Sequence, residues 1–272
     1  MPRVPALLAL VLNAVSATLA FSQVAASSSN PHFAAGHAAL AVHDPTRAIT
    51  EFEQDESPSG RAWLAVALMM ESRSPSDAFV ARAFNAAAEA RSTDRTRAPR
   101  IATIQAQLQP GETVIAYLVE DRYAYAWAID RDTVVGYPLP PPAQLAPAAD
   151  AAHGYATRGD EEGLRRVGDE LMSSLLGPVT LHMPQVRRIV LVLDGALNQL
   201  PIERLPPDAD APPLNETIAT ATVSDYAQLI DALRQPAVLA PKRTSGTGRR
   251  VALTVVAILA AAMVAWGLRR RA

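Results

Sequence analysis

The chain has 272 residues, 49% of them hydrophobic, with a formal charge of −2 and no cysteine. That is enough for one or two domains with a buried core, and it excludes disulfides, thiolate metal ligands and a cysteine nucleophile. Arg3, four basic residues within 242–250 and Arg269–Arg271 lie at the two ends, which leaves 17 basic and 27 acidic residues between 31 and 241, a net of −10 that argues against nucleic acid as a partner.

Residues 1–26 open with the lone cation Arg3, continue as a mostly apolar stretch over 6–21, and reach the small-residue triplet Val24-Ala25-Ala26 before a serine run. This has the layout of a signal peptide; an uncleaved anchor or an amphipathic first helix are the other readings. Residues 31–91 read as helices. Within "HFAAGHAALAVHDPTRAITEFEQ" the break falls at His43-Asp44-Pro45, where Asp44 can cap a second helix that begins at Pro45. The next stretch repeats the theme. Trp63 and Ala67 lie on its first helix, Ser76-Asp77 starts its second, and Ala78, Ala81 and Phe84 follow. These two hairpins are expected to pack on what comes after them, because two such units are few for an independent stack. "RSTDRTRAPR" (91–100) reads as a solvated connector.

Residues 103–139 change character. "TVIAYLVE", "YAYAWAID" and "TVVGYPL" are short runs rich in β-branched and aromatic residues, separated by Asp121-Arg122 and Arg131-Asp132. The pattern predicts a three-stranded antiparallel meander. Tyr123, Tyr125 and Trp127 alternate, so they share one face, which is expected to be core or a helix-packing surface. Residues 143–182 are helical, with Leu164, Val167, Leu171 and Leu175 at three-to-four spacing. In "RRIVLVLDG" five consecutive apolar residues precede Asp194-Gly195, which suggests a strand buried on both faces. A short helix is expected past Pro201, a further strand at 217–223, and a helix near Tyr226 capped by Ser224 or Asp225. Residues 236–250 form a basic linker. Residues 251–268 are an uncharged run of 18 with arginines at both ends and Trp266 near one of them, close to the ~20 residues that cross a bilayer.

Three stretches carry a family resemblance. "IQAQLQPGETVIAYLVEDRYAYAWAIDRDTVVGYPLP", "LMSSLLGPVTLHMPQVRRIVLVLDGALNQLPIERL" and "ATVSDYAQLIDAL" are similar, in order, to the first half of a CHAT domain. This is a caspase-like peptidase domain often found after tetratricopeptide repeats. The family's Pro-Asp-Gly-x-Leu turn is matched by Leu193-Asp194-Gly195-Ala196-Leu197, and its Leu-Pro-Phe by Leu200-Pro201-Ile202. Gly36, Ala48 and Phe52 sit where tetratricopeptide repeats place small and aromatic contacts, although the period is about 31 rather than about 34. The expected fold class is therefore mixed α and β: repeat-like helical hairpins over 31–91, the first part of a caspase-like α/β domain over 101–235, and one C-terminal transmembrane helix.

What the resemblance implies about chemistry is a departure. The family's dyad is a histidine followed by a cysteine on later strands. Here no histidine lies beyond His182 and no cysteine occurs anywhere, so neither role carries over to any position. The five histidines are His32, His37, His43, His153 and His182, and no pair has the i, i+4 spacing of a helical metal site. Ser173-Ser174 and Ser224 lack a nucleophile elbow. No catalytic, cofactor-binding or metal-ligating residue is assigned. The expected function is a non-catalytic interaction or scaffold protein. It would be held in the membrane by 251–268, with an extracytoplasmic body and a cytoplasmic arginine tail if 1–26 is a signal, or as a tail-anchored protein facing the cytoplasm if it is not, since basic residues flank both ends of the span. A protein partner or a second copy is expected along an exposed sheet edge. The alternative is a peptidase-related hydrolase, acting with another residue or completed by a partner that supplies His and Cys. The arginine-rich composition, with Lys242 the single lysine, reads as bacterial.

Overall fold

The computed structural model describes residues 30–182, 186–206 and 211–236. The segments expected as a signal peptide, a basic linker and a membrane span lie outside these residues. Among the described residues no helix is long and apolar enough to cross a membrane.

Four helices come first: α1 (Pro31–Ala41), α2 (Pro45–Glu53), α3 (Pro58–Glu71) and α4 (Ala78–Arg91). Each start is fixed by a side chain that accepts an otherwise unpaired amide, which is the role short polar residues play at a helix N-terminus. Asn30 accepts from the His32 N–H, Asp44 from Arg47, Ser57 from Gly60, and Asp77 from Phe79 and Val80. The break at His43-Asp44-Pro45 is real, and His43 takes the left-handed conformation there, φ 59°.

Gly36 explains how α1 meets α2. A Cβ placed on it would lie 2.6 Å from the Phe52 ring, so only a bare backbone lets the two helices approach this closely. Gly36→Ala is therefore expected to lose about 1–3 kcal/mol through overpacking. Urea unfolding checks this, and a loss below about 0.5 kcal/mol would show that the ring moves aside.

The meander is present as the sequence led us to expect: β1 (Glu112–Glu120), β2 (Tyr123–Ile129) and β3 (Val134–Pro138), all antiparallel. Ahead of it lies the one-turn helix α5 (Ile101–Gln105). Helices α6 (Pro142–Arg158) and α7 (Glu161–His182) follow, separated at Gly159, φ 71°. Asp160 then accepts from the Gly163 amide to start α7. β4 (Arg188–Val192) runs parallel to β1, and every one of its residues is buried. β5 (Ala219–Val223) runs parallel to β4, giving the order β3-β2-β1-β4-β5.

Two details differ from the sequence reading. Past Asp194 the chain makes two 3-10 turns, Gly195–Gln199 and Ile202–Arg204, rather than one short helix. Pro201 sits between them, and with no N–H to give it cannot continue a helical ladder. Before β5 a single-turn helix, α8 (Leu214–Thr217), occupies the start of the run expected as strand. Asp225 is the cap for the turn at Tyr226 that leads into α9 (Leu229–Arg234), through the Ala227 amide at 2.8 Å.

Strand alternation divides the core into two halves. Val114, Ala116 and Leu118 with Tyr125, Trp127 and Ile129 face the layer built by α1–α4. Ile115 and Tyr117 with Ala126, Ala128 and Tyr137 face α6 and α7. The aromatic stripe is thus the surface on which the N-terminal helices pack. Trp63 lies 5.9 Å from Tyr123, and Phe84 6.1 Å from Trp127, both edge to face, a favoured arrangement for aromatic pairs. On the far side the Tyr117 and Tyr137 hydroxyls both donate to the Leu175 carbonyl of α7, at 3.2 and 3.3 Å. The result is a three-layer α/β/α unit in which the N-terminal hairpins are one of the layers.

Candidate functional site

Strands β1, β4 and β5 run in the same direction and end on the same side of the sheet. In open α/β sheets this carboxyl end is where a crevice usually receives a ligand. Asp194-Gly195 stands there, directly after β4.

In this protein that position is filled by the protein's own side chains. β1 outruns β4: their pairing stops at Ala116 and Val192. The groups of β1 left beyond it are met by side chains instead of a strand. The Val119 N–H donates to Asp194 Oδ2 at 2.8 Å, and the Tyr117 carbonyl accepts from the Tyr226 hydroxyl at 2.8 Å. Asp194 thereby continues the ladder that β4 no longer provides. The chain can turn away at this point because Gly195 adopts φ 55°, and its α-carbon faces Val119 so closely that a Cβ would lie 3.1 Å from that side chain.

The second oxygen of Asp194 is engaged by Arg91, the last residue of α4. The guanidinium donates from Nε to Asp194 Oδ1 at 2.9 Å and from a terminal nitrogen to Glu120 at the end of β1. Burial works against the Arg91 charge, but Asp194 and Glu120 together outweigh it and hold the guanidinium protonated more firmly than usual. Glu120 titrates above its ordinary range because burial raises it and Arg91 only partly offsets that. Two residues on, Thr93 donates from its backbone and hydroxyl to the Asp225 carboxylate just after β5. For Asp225 burial pushes upward, yet the hydrogen bonds from Thr93 and Ala227 prevail and its pKa falls below 3.8.

Most of the connector 91–100 is solvated, as its charge led us to expect, with Thr93–Arg97 and Arg100 exposed, but its first residues also serve the joint between layers. Arg91 and Thr93 reach into the carboxyl end of the sheet. Arg95 and Arg100 converge on Glu89, each at 3.5 Å, and Arg97 pairs with Asp231 at 3.0 Å. Sequence reasoning missed Arg91 because its partners Glu120 and Asp194 lie 29 and 103 residues away. The signal that was available is its position as the last residue of a helix with an alanine-rich buried face. Arg188 was missed for the same reason. It is 5% exposed, donates to the Ala232 and Leu233 carbonyls at 2.7 and 3.2 Å, and pairs with Glu112 at 3.0 Å. It thus satisfies the C-terminal carbonyls of α9 from the first position of β4.

The histidines do not come together. His32 meets Glu51 at 2.9 Å. His37 is buried among Phe33, Phe52 and Trp63. His43 is in the α1–α2 turn, and His153 lies on α6 with Nδ1 3.1 Å from the Gln199 carbonyl oxygen. The side chain of His182 lies outside the described residues. Ser174 donates to the Glu170 carbonyl within its own helix. Among the described residues no three His, Asp or Glu side chains are placed to hold a metal ion.

The two edges of the sheet differ. At β3 the outward amide of Gly136 donates to the Pro75 carbonyl at 2.7 Å, and the backbone there lies against Met69 and Val80. β5 is the other edge, and no further strand covers it among the described residues. No family model matches the chain, and no curated protein matches it.

Proposed function

We propose that the protein is a membrane-anchored, non-catalytic interaction protein, built from repeat-like helical hairpins and a CHAT-like sheet, that engages another chain along β5. The observation that carries this reading is the carboxyl end of the parallel strands. There Arg91, Glu120, Asp194 and Tyr226 satisfy one another and the backbone of β1, so the groups that would do chemistry are spent on holding layers together. The absence of cysteine from the chain supports it, since the family's acyl-enzyme chemistry needs a thiolate. The β5 edge, which no other strand among the described residues covers, supports the interaction role, because the amides and carbonyls of an edge strand are a template for another strand. Attachment through 251–268, an extracytoplasmic body and a cytoplasmic Arg269–Arg271 tail complete the proposal.

Two experiments test it. A photo-crosslinking residue at Thr222 of the full chain, in native membranes, is expected to give an adduct of defined mass; a chain that stays uncrosslinked would sink the interaction role, and cleavage of a peptide library by the purified chain would sink the non-catalytic one. Alkaline phosphatase fused before residue 242 is expected to be active and fused after 272 to be silent. The reverse result would place the body in the cytoplasm.

A further inference from the structure

The backbone of β5 specifies what can pair with it. The Ala219 amide donates to the Arg187 carbonyl at 3.2 Å, and the Val223 carbonyl accepts from the Leu193 amide at 3.0 Å. Residues 219, 221 and 223 therefore turn their peptide groups toward β4, and by alternation Thr220 and Thr222 turn theirs outward. The strand, Ala-Thr-Ala-Thr-Val, carries no charge, no proline and no glycine. Edges that stand alone are ordinarily protected by a lysine, a proline or a bulge. The β3 edge has such protection, in Pro138 and in the Pro75 carbonyl that takes the Gly136 amide.

We infer that β5 pairs antiparallel with β5 of a second copy of this chain, about a two-fold axis at Ala221, which joins two sheets into one. This rests on the reading of β5 as the interaction edge and names its partner. In that register Thr220 of each copy exchanges N–H···O bonds with Thr222 of the other. Ala221 meets its counterpart in the closer, non-hydrogen-bonded pair, where a methyl group permits the ~4.5 Å Cα approach. The threonine side chains line one face as cross-strand neighbours, a stabilising pairing in sheets. A strand without charge has nothing with which to select a charged partner, whereas it is fully complementary to itself. Because β3 is sealed, isologous pairing at β5 closes at two copies rather than running on as a fibre. The net of −10 between residues 31 and 241 repels at long range, so the dimer is strengthened by added salt.

The chain has no cysteine, so single introduced cysteines report on this directly. In native membranes under mild oxidant, full-length Ala221→Cys is expected to form a disulfide-linked dimer about tenfold or more faster than Thr157→Cys, which sits on the exposed side of α6, because pairing holds the two thiols at high effective concentration. Adding Thr222→Pro or Thr222→Lys to Ala221→Cys returns the rate to that of the control. The unchanged melting temperature of at least one of these two variants separates lost pairing from misfolding. Ala221→Cys and Thr222→Cys that both crosslink no faster than Thr157→Cys overturn the second copy. If the photo-crosslinker at Thr222 then still gives a heterologous adduct, the interaction reading stands and only the self-pairing falls; if it gives none, both fall.

Discussion

Asp194→Ala is expected to lower the stability of the protein by about 3–5 kcal/mol, the range found when one member of a buried ion cluster is deleted. Asp194 is 8% exposed and uses both oxygens, one for the Arg91 guanidinium and one for the Val119 amide. Alanine leaves that amide without an acceptor and leaves Arg91 with Glu120 and the Val119 carbonyl. Arg91→Met is expected to fall in the same range, because it sets two carboxylates side by side with no cation between them. Glu120→Gln should cost little by comparison: burial already raises the Glu120 pKa, so ionising that carboxylate in place returns less than its desolvation costs. The double variant Arg91→Met/Asp194→Leu is expected to cost clearly less than the sum of the singles, since it removes the charges together. Equilibrium denaturation at neutral pH reads all four. An Asp194→Ala variant within about 0.5 kcal/mol of wild type would mean that the network is not what fixes α4 to the sheet.

That network also explains how far the sequence could be read. Elements with local signals were legible. Asp44-Pro45 and Asp77 announce helix starts through a cap and a missing amide, and the alternation of Tyr123, Tyr125 and Trp127 announces a strand with one packed face. β4 was legible because five apolar residues in a row, bounded by Asp194-Gly195, suit a short strand covered on both sides. The 3-10 turns around Pro201 were not, because the periodicity of Leu197, Leu200 and Ile202 suits a short helix almost as well as two tight turns. The joint between layers was least legible. Arg91, Thr93 and Arg188 look like members of surface charge runs, and their roles depend on Glu120, Asp194, Asp225 and Glu112, which no local pattern links to them. The sequence placed Asp194-Gly195 correctly at a strand end. It did not reveal that the aspartate extends the ladder of β1 and holds the N-terminal helices.

The proposed interaction role suits the same arrangement better than catalysis would. Catalytic groups at a strand end must be able to change partners or protonation state during a reaction. Asp194, Arg91 and Tyr226 are fixed by two or more elements each, and moving any of them would separate α4 from the sheet or expose the end of β1. The β5 edge carries no such duty, and Thr222 is exposed beside it. On the proposed reading, β5 would offer rigid backbone to another strand while the joints between layers stay protected.

Acid should destabilise the protein in a window set by His37. Its ring stands edge to face with Phe33 at 4.5 Å and Trp63 at 4.2 Å, and is 2% exposed. Burial among these rings lowers its pKa from 6.5 to about 4, against a smaller upward pull from Asp121 in the β1–β2 turn. Above pH 6.5 the imidazole is neutral in both folded and unfolded chains, and the full stability is present. Between pH 6.5 and 4 the unfolded chain takes up a proton that the folded one refuses, so stability falls with pH, and this contribution levels off below about 4. The total loss is about 3 kcal/mol, from roughly 1.4 kcal/mol for each pH unit between the two values. Asp225, whose pKa is depressed, contributes its own loss only below pH 3.8, so the two windows separate. Glu120, whose pKa burial raises, works the other way at the acid end of the span, because the folded chain takes up its proton before the unfolded one does. The expected result is a urea midpoint that falls from pH 7 to 4 by clearly more in the wild type than in His37→Leu. Equal slopes in the two proteins would show that the imidazole takes up its proton at the ordinary pKa even within its aromatic surroundings, and that the contacts between α1, α2 and α3 tolerate a charge the packing gives no sign of accommodating.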